Sequence, residues 1–262
     1  MPRQKSATAA ESKGVGNAIG KVCAVLRTLS SNAPLRLNAI ADTTGLNRVT
    51  TLRILDELTA QGFVARSESP PRYSLGPESV AMGASSSLAL DIRGAARASL
   101  VRLADFSEDT VLLSVKSNAE AICVDRAHGT YPVQATFLHV GSRRPLGVGA
   151  GSMALLAWLP EEERRALLDV TEKQLDAYPR ITREVLEEHI RDAHRRGYVY
   201  MLDIVVGKIG AIGFPVRNAQ GQVVASISIA ALTERIVERE HALAEALVTE
   251  VESVRKQIAA TG

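Results

Sequence analysis

Aromatic residues are scarce: four phenylalanines, five tyrosines and one tryptophan make up 4% of the 262 residues. Any core must therefore be aliphatic, and the 46% hydrophobic content is enough to build one. Cysteine is nearly absent. Cys23 and Cys123 stand far apart, and neither has a second cysteine or a histidine at ligand spacing. Both are expected to be buried, reduced thiols. No stretch approaches ~20 consecutive apolar residues, so no membrane-spanning segment is expected. Residues 1–14 lack the apolar centre of a signal peptide. A cytoplasmic location and a disordered N-terminal arm over 1–14 follow as expectations, with Arg3, Lys5 and Lys13 in that arm.

What is present is unevenly charged. The net charge is only +2, yet residues 1–75 hold ten Lys/Arg against five Asp/Glu. Residues 76–262 hold twenty-one against twenty-four. A basic small part joined to a mildly acidic large part points the first part at a polyanion.

Periodicity locates the elements. Ala18, Val22, Val25, Leu26 and Leu29 form one stripe of a helix over 18–30. Leu37, Ile40 and Ala41 mark a short second helix stopped near Gly45, and a third runs over 47–61 to Gly62. Two short strands, 63–66 and 72–75, flank a Ser-Glu-Ser-Pro-Pro loop and predict a hairpin. Gly76-Pro77 starts a long helical stretch to about 106, broken near Asp91. Beyond Thr110, VLLSV and AICVDR read as a strand pair, and 131–140 reads as extended. GVGAGSMALLAWL is a glycine loop running into an apolar helix. Charged helices follow over 161–170 and 182–196, then a hairpin around AQGQ and a last helix over 234–260. Helices and an antiparallel sheet in one chain give the α+β class, in two domains.

Helix, tight turn, helix, then hairpin is the layout of a winged helix-turn-helix. If Thr51, Ile54, Leu55 and Leu58 pack inward, then Arg48, Val49, Leu52, Arg53 and Asp56 face outward. Aliphatic side chains set between two arginines suit a major groove, where Arg bonds guanine and an apolar group touches a thymine methyl. Asn47 and Thr50, at the start of the third helix, are candidate phosphate ligands. Arg66 and Arg72 on the hairpin are candidates for the DNA backbone or minor groove. A solvated protein-interaction face is the competing reading.

These stretches together resemble the IclR family of bacterial transcriptional regulators. LRLNAIADTTGLNRVTTLRILDELTAQGFV, PRYSLGP, ICVDR, VGSRRPLGVGAGSMALLAWLPEEERRALL, RRGY and FPVRNAQGQVVASISI carry the resemblance, which covers 15–262. It implies a winged helix-turn-helix over 15–76, a linker helix over 77–91 and a GAF-like effector-binding domain over 92–262. It also implies a double-stranded DNA operator, a small organic acid effector, and a homodimer or a dimer of dimers. The implied effector site falls on Gly149, Ala150, Gly151, Met201, Asp203, Ala211, Ser228 and Ala230, with the acid group at the Ala150–Gly151 amides.

The sequence departs from the family pattern in that site. Gly147, Val148 and Gly149 stand where relatives carry His-Ala-Thr or His-Ala-Ser. Met201 and Ala211 stand at an acidic and a cysteine position, and Ala230 replaces a serine. Small and apolar replacements predict a larger, more apolar pocket, and hence an aromatic or otherwise bulky apolar carboxylate. A domain collapsed onto itself without ligand, used only for assembly, is the alternative.

Other signals carry less. GVGAGS lacks the Gly-Lys-Ser/Thr of a phosphate loop, and Ser152 lacks a G-x-S-x-G frame. His189 and His194 are five apart and do not share a helix face. With no nucleophile–base or carboxylate pair visible, no catalysis, cofactor or metal is expected; an enzyme acting on a small acid is the less favoured reading. Arg143 and Arg144, just before the glycine loop, could serve an interface or attract an anionic effector, with salt-bridged surface positions the favoured reading.

Overall fold

The computed structural model describes residues 16–32, 34–85 and 87–261. The arm expected over 1–14 lies outside them. The chain divides between residues 86 and 87 into two compact units.

In the first unit, α1 (Ala18–Asn32), α2 (Leu37–Thr44) and α3 (Arg48–Ala60) precede the antiparallel pair β1 (Val64–Glu68) and β2 (Pro71–Leu75). Gly45 ends α2 at φ 67°, a left-handed position that glycine takes without a Cβ clash. Asn47 starts α3 by accepting the Thr50 N–H at 2.8 Å. Val25, Leu29, Ile40, Leu55, Leu58, Val64 and Tyr73 close one aliphatic core. The register Val64↔Leu75 fixes the hairpin, and Leu35 adds an isolated bridge to Tyr73. A short helix, α4 (Pro77–Ala84), follows with proline in its first turn. The helical stretch divides between α4 and α5 (Ser87–Ser107) rather than at Asp91, which lies inside α5.

The second unit is a six-stranded antiparallel sheet ordered β5-β4-β3-β8-β7-β6. Its strands are β3 (Thr110–Ser117), β4 (Glu120–Ala127), β5 (Arg143–Pro145), β6 (Val199–Leu202), β7 (Ile209–Arg217) and β8 (Val223–Leu232). Period-two alternation sends Val111 and Leu113 of β3, and Ile227 and Ile229 of β8, into a core shared with α5 and α9 (Thr233–Thr261). The opposite face is covered by α6 (Ala150–Ala157) and α8 (Arg183–Arg196), with α7 (Glu161–Glu172) behind them in the same core. Both faces of β8 are thus covered, and its seven residues from Ala225 to Ala231 are all buried.

Two expectations change. Residues 131–140, expected to be extended, form turns and bends and join no strand. Pro132 has no N–H to give a ladder, and Gln134 Nε2 bonds the Glu108 and Tyr131 carbonyls at 2.9 and 2.6 Å, anchoring the segment as a loop. Strand β6 was not expected: four residues at a sheet edge are too few for a periodic signal. Cys123 is buried, as expected, while Cys23 is only half-buried; both are free thiols.

Candidate functional site

Two regions answer to the expected sites. On α3, Thr51 and Leu55 are fully buried and Leu58 nearly so, which turns Arg48, Val49, Leu52, Arg53 and Asp56 outward. Val49 is 70% exposed and Leu52 36%, high for aliphatic residues of a helix with a packed inner face. Thr50 is half-buried. Asn47 spends its Oδ1 on the α3 cap, so the side chain expected to reach phosphate has a local structural duty. Arg66 lies 5.8 Å from the Tyr73 ring centroid, and Arg72 Nη1 donates to the Pro34 carbonyl at 3.2 Å. Among the described residues, Arg48, Arg53, Arg66 and Arg72 have no carboxylate partner.

The second region is a cavity on the α6 face of the large sheet. Its floor is Leu112 and Ser114 of β3, Ala121 and Cys123 of β4, Ser228 and Ala230 of β8, Ala211 of β7 and Met201 of β6. Met201, Ala211 and Ala230 are paired across three strands in one row. Gly149–Ser152 at the start of α6 form one end, and the 137–138 loop and Ile204, Val205 and Val206 form the walls. The empty space out to the mouth is about 680 Å³. That lies within the range of small-molecule sites. A collapsed domain would close this space beside Ala150; here it is open.

The glycines set the geometry. Gly149 holds φ 93° as the α6 N-cap and offers no side chain, leaving the first-turn amides without a side-chain cap. Gly151 sits so close to β8 that a Cβ would come within 2.9 Å of Ser228 Oγ. Gly147 adds nothing to the cavity, because a Cβ there would meet Leu186 in the core at 2.7 Å.

Seven of the eight expected effector residues line the cavity: Gly149, Ala150, Gly151, Met201, Ala211, Ser228 and Ala230. Asp203 does not. It sits at φ 59°, and its Oδ1 accepts the Lys208 N–H and the Thr233 hydroxyl, so its carboxylate closes the 203–208 turn.

Sequence reasoning missed the contributions of β3, β4 and the 131–142 loop, and for Arg144 it favoured a salt bridge that the structure does not show. Arg143 does make the expected salt bridge, with Glu120 at 3.0 Å. Arg144 instead lines the cavity beneath the Phe137 ring, 5.1 Å from its centroid. Burial pulls the Arg144 guanidinium below the ordinary arginine value, and burial pushes the Cys123 thiol up to about 11, keeping it protonated at neutral pH. Sequence alternation offered one usable signal: Leu112 and Ser114 had to share a face opposite Val111 and Leu113.

The histidines stay apart. His194 Nε2 lies 2.7 Å from the Ala157 carbonyl and packs beside Trp158. Among the described residues no group of His, Cys, Asp and Glu is arranged to hold a metal, and no helix is long and apolar enough to cross a membrane.

The IclR helix-turn-helix domain model matches residues 18–68, and the model of the bacterial transcriptional regulator IclR C-terminal domain matches 85–258. The chain is 31% identical over 219 residues to the HTH-type transcriptional regulator KipR of Bacillus subtilis (strain 168), covering 83% of this chain and 87% of that one. A solved transcriptional regulator from Alicyclobacillus acidocaldarius is similar at TM-score 0.76 and 26% identity, over 92% of this chain and 98% of that one. An IclR homologue from Microbacterium hydrocarbonoxydans, solved in complex with 4-hydroxybenzoate, shares the fold at TM-score 0.74 and 22% identity, over 91% and 97%. With an exposed arginine-bearing helix in the first unit, a cavity in the second and both domain models matched in chain order, this chain belongs to the IclR family of transcriptional regulators, with a helix-turn-helix DNA-binding domain and a C-terminal effector domain.

Proposed function

We propose that the operator affinity of this regulator is set by an aromatic or bulky apolar carboxylic acid held in the cavity beside α6. The observation that carries the reading is the cavity wall. Met201, Ile204, Val205, Ala211 and Ala230 make it apolar, and one end is the uncapped start of a helix, where backbone amides and the helix dipole favour an anion. The 4-hydroxybenzoate bound by the Microbacterium protein is support from a related fold, no more. In the first unit, Arg48, Leu52 and Arg53 enter the major groove, and Arg66 and Arg72 hold the backbone. Two such units related by a two-fold axis read half-sites about one turn, ~34 Å, apart, so the working species is a homodimer or a pair of dimers.

The test couples both halves. Titrating aromatic and aliphatic acids into the protein bound to the promoter region beside its own gene, in a mobility-shift assay, should change operator affinity for ring-bearing acids. By linkage, operator DNA must change acid affinity by the same factor. An acid at a hundredfold excess over its dissociation constant should add ~2.7 kcal/mol of stability. Stabilisation by two- or three-carbon acids alone would refute the enlarged, apolar cavity.

A further inference from the structure

We infer that Arg144 is the side chain with which this cavity grips the acid group of its ligand. The cavity therefore selects a planar monoanion, a carboxylate carried on a ring, over the neutral molecule of the same shape. This rests on the effector reading above and adds the residue that sets its charge selectivity.

Arg144 is out of keeping with its neighbours. The second unit holds seven other half-buried arginines among the described residues: Arg126, Arg143, Arg164, Arg183, Arg217, Arg235 and Arg239. Each of those donates to a carboxylate or a carbonyl. Arg144 donates to no oxygen of a described residue, and no carboxylate pairs with it. It lies over the face of Phe137, with Tyr178 within electrostatic reach. A guanidinium has five N–H donors and cannot shed its charge at any ordinary pH. Taking it half out of water with no acceptor among the described residues costs hydration free energy that the chain itself does not recover. A ligand anion recovers it.

Its position says where that anion sits. Arg144 Nη1 lies 3.4 Å from the point a Cβ on Gly149 would occupy, so the cation stands at the N-cap of the eight-residue helix α6. A second, independent observation marks the same place. Ser228 and Ser114 are 4% and 8% exposed, both line the cavity, and neither hydroxyl bonds to a described residue. Ser228 Oγ is the atom that lies 2.9 Å from the position of a Cβ on Gly151, one residue into the helix. A guanidinium fork, the first-turn amides and a buried hydroxyl thus converge on one end of the cavity. A carboxylate, with two oxygens and about four lone-pair directions, answers to that set, and Arg engages it in the bidentate way that Lys does not. The Phe137 ring, 5.1 Å from the guanidinium carbon, adds a cation–π contact that helps hold it in place. Beyond this polar end the walls are aliphatic, which leaves the body of the ligand apolar.

The experiment uses the full chain and matched acid–amide pairs: benzoate with benzamide, phenylacetate with phenylacetamide, cyclohexanecarboxylate with its carboxamide. Binding is read by calorimetry and thermal shift. Wild type should prefer the acid of at least one pair. Arg144→Gln should weaken that acid roughly ten- to hundredfold and leave the amide within about twofold. Arg144→Lys should fall between, and Arg143→Gln, whose arginine is already paired with Glu120, should bind the acid like wild type. Equal acid binding by Arg144→Gln and wild type would overturn the role of Arg144 and leave the effector reading standing. Amides binding wild type as tightly as acids would overturn the anion selectivity. If neither form of any pair binds wild type, the effector reading falls and this inference with it. Should Arg144→Gln lose its fold by circular dichroism, the acid–amide ratio of wild type against Arg144→Lys decides.

Discussion

The two units treat arginine in opposite ways. In the first, Arg48, Arg53, Arg66 and Arg72 stand exposed with no carboxylate partner among the described residues. In the second, arginines are fastened: Arg235 to Asp109, Arg102 to Glu250, Arg196 to Asp192 and Glu240, Arg183 to Asp169 and Glu187. The same side chain serves as glue where its charge is neutralised internally, and as bait where it is left for a partner. Arg144 belongs to the second unit by position and to the first by behaviour.

The contrast breaks most visibly at Arg235. Asp109 is only 1% exposed in its side chain, and Arg235 holds it from α9 while lying over the Tyr131 ring at 3.8 Å. Burial pushes the Asp109 carboxyl up, opposed by the Arg235 hydrogen bond and charge. Arg235→Ala should cost about 3–5 kcal/mol in denaturant unfolding, because it strands a buried carboxylate. Without its cation, Asp109 should titrate higher still in the folded state. A raised folded value means stability that is present at low pH and lost as pH rises, so the deficit should grow from pH 4 to pH 7. A constant deficit across that range would show that lost packing, not charge, is responsible.

Next in size is Arg53→Ala. With no internal partner to lose, it should leave unfolding free energy within ~0.5 kcal/mol of wild type while costing ~1–3 kcal/mol of operator affinity and relaxing specificity at one base position. A stability loss without a binding loss would place Arg53 among the structural arginines.

The smallest expected effect is at Glu250, joined to Arg102 of α5 by two hydrogen bonds at 2.8 and 2.6 Å. The Arg102 hydrogen bond holds the Glu250 carboxyl below the ordinary glutamate value. A lowered folded value gives stability that is complete above the unfolded value, ~4.3, and is lost as pH falls through the folded one. Arg102 is half exposed, so the pair contributes at most about 1 kcal/mol. Glu250→Gln should flatten the acid side of the stability profile by that amount, checked by urea unfolding between pH 3 and pH 6.

Much of the fold was legible in advance because its helices are long and striped and its turns are punctuated. Gly45, Gly62, Pro77 and the AQGQ turn each mark an end that backbone sterics impose locally. The outward face of α3 followed from the inward one by helix period alone. The 131–142 loop was misread because alternating apolar residues look extended whether or not a ladder partner exists. Strand β6 was missed because its partner, β7, is what makes it a strand. Asp203 was misplaced because the positive-φ turn that claims its carboxylate depends on Lys208 and Thr233 meeting it in space.

By itself, then, the chain's order of residues determined two folding units, an arginine-bearing helix surface and a glycine-led helix start, since each depends on neighbours within a few turns. Which side chains enclose the cavity, and that Arg143 finds Glu120 while Arg144 finds no carboxylate, was decided only by strands separated in sequence coming into register. Pairing of charges and enclosure of space are long-range properties, fixed by which surfaces pack together and not by local spacing.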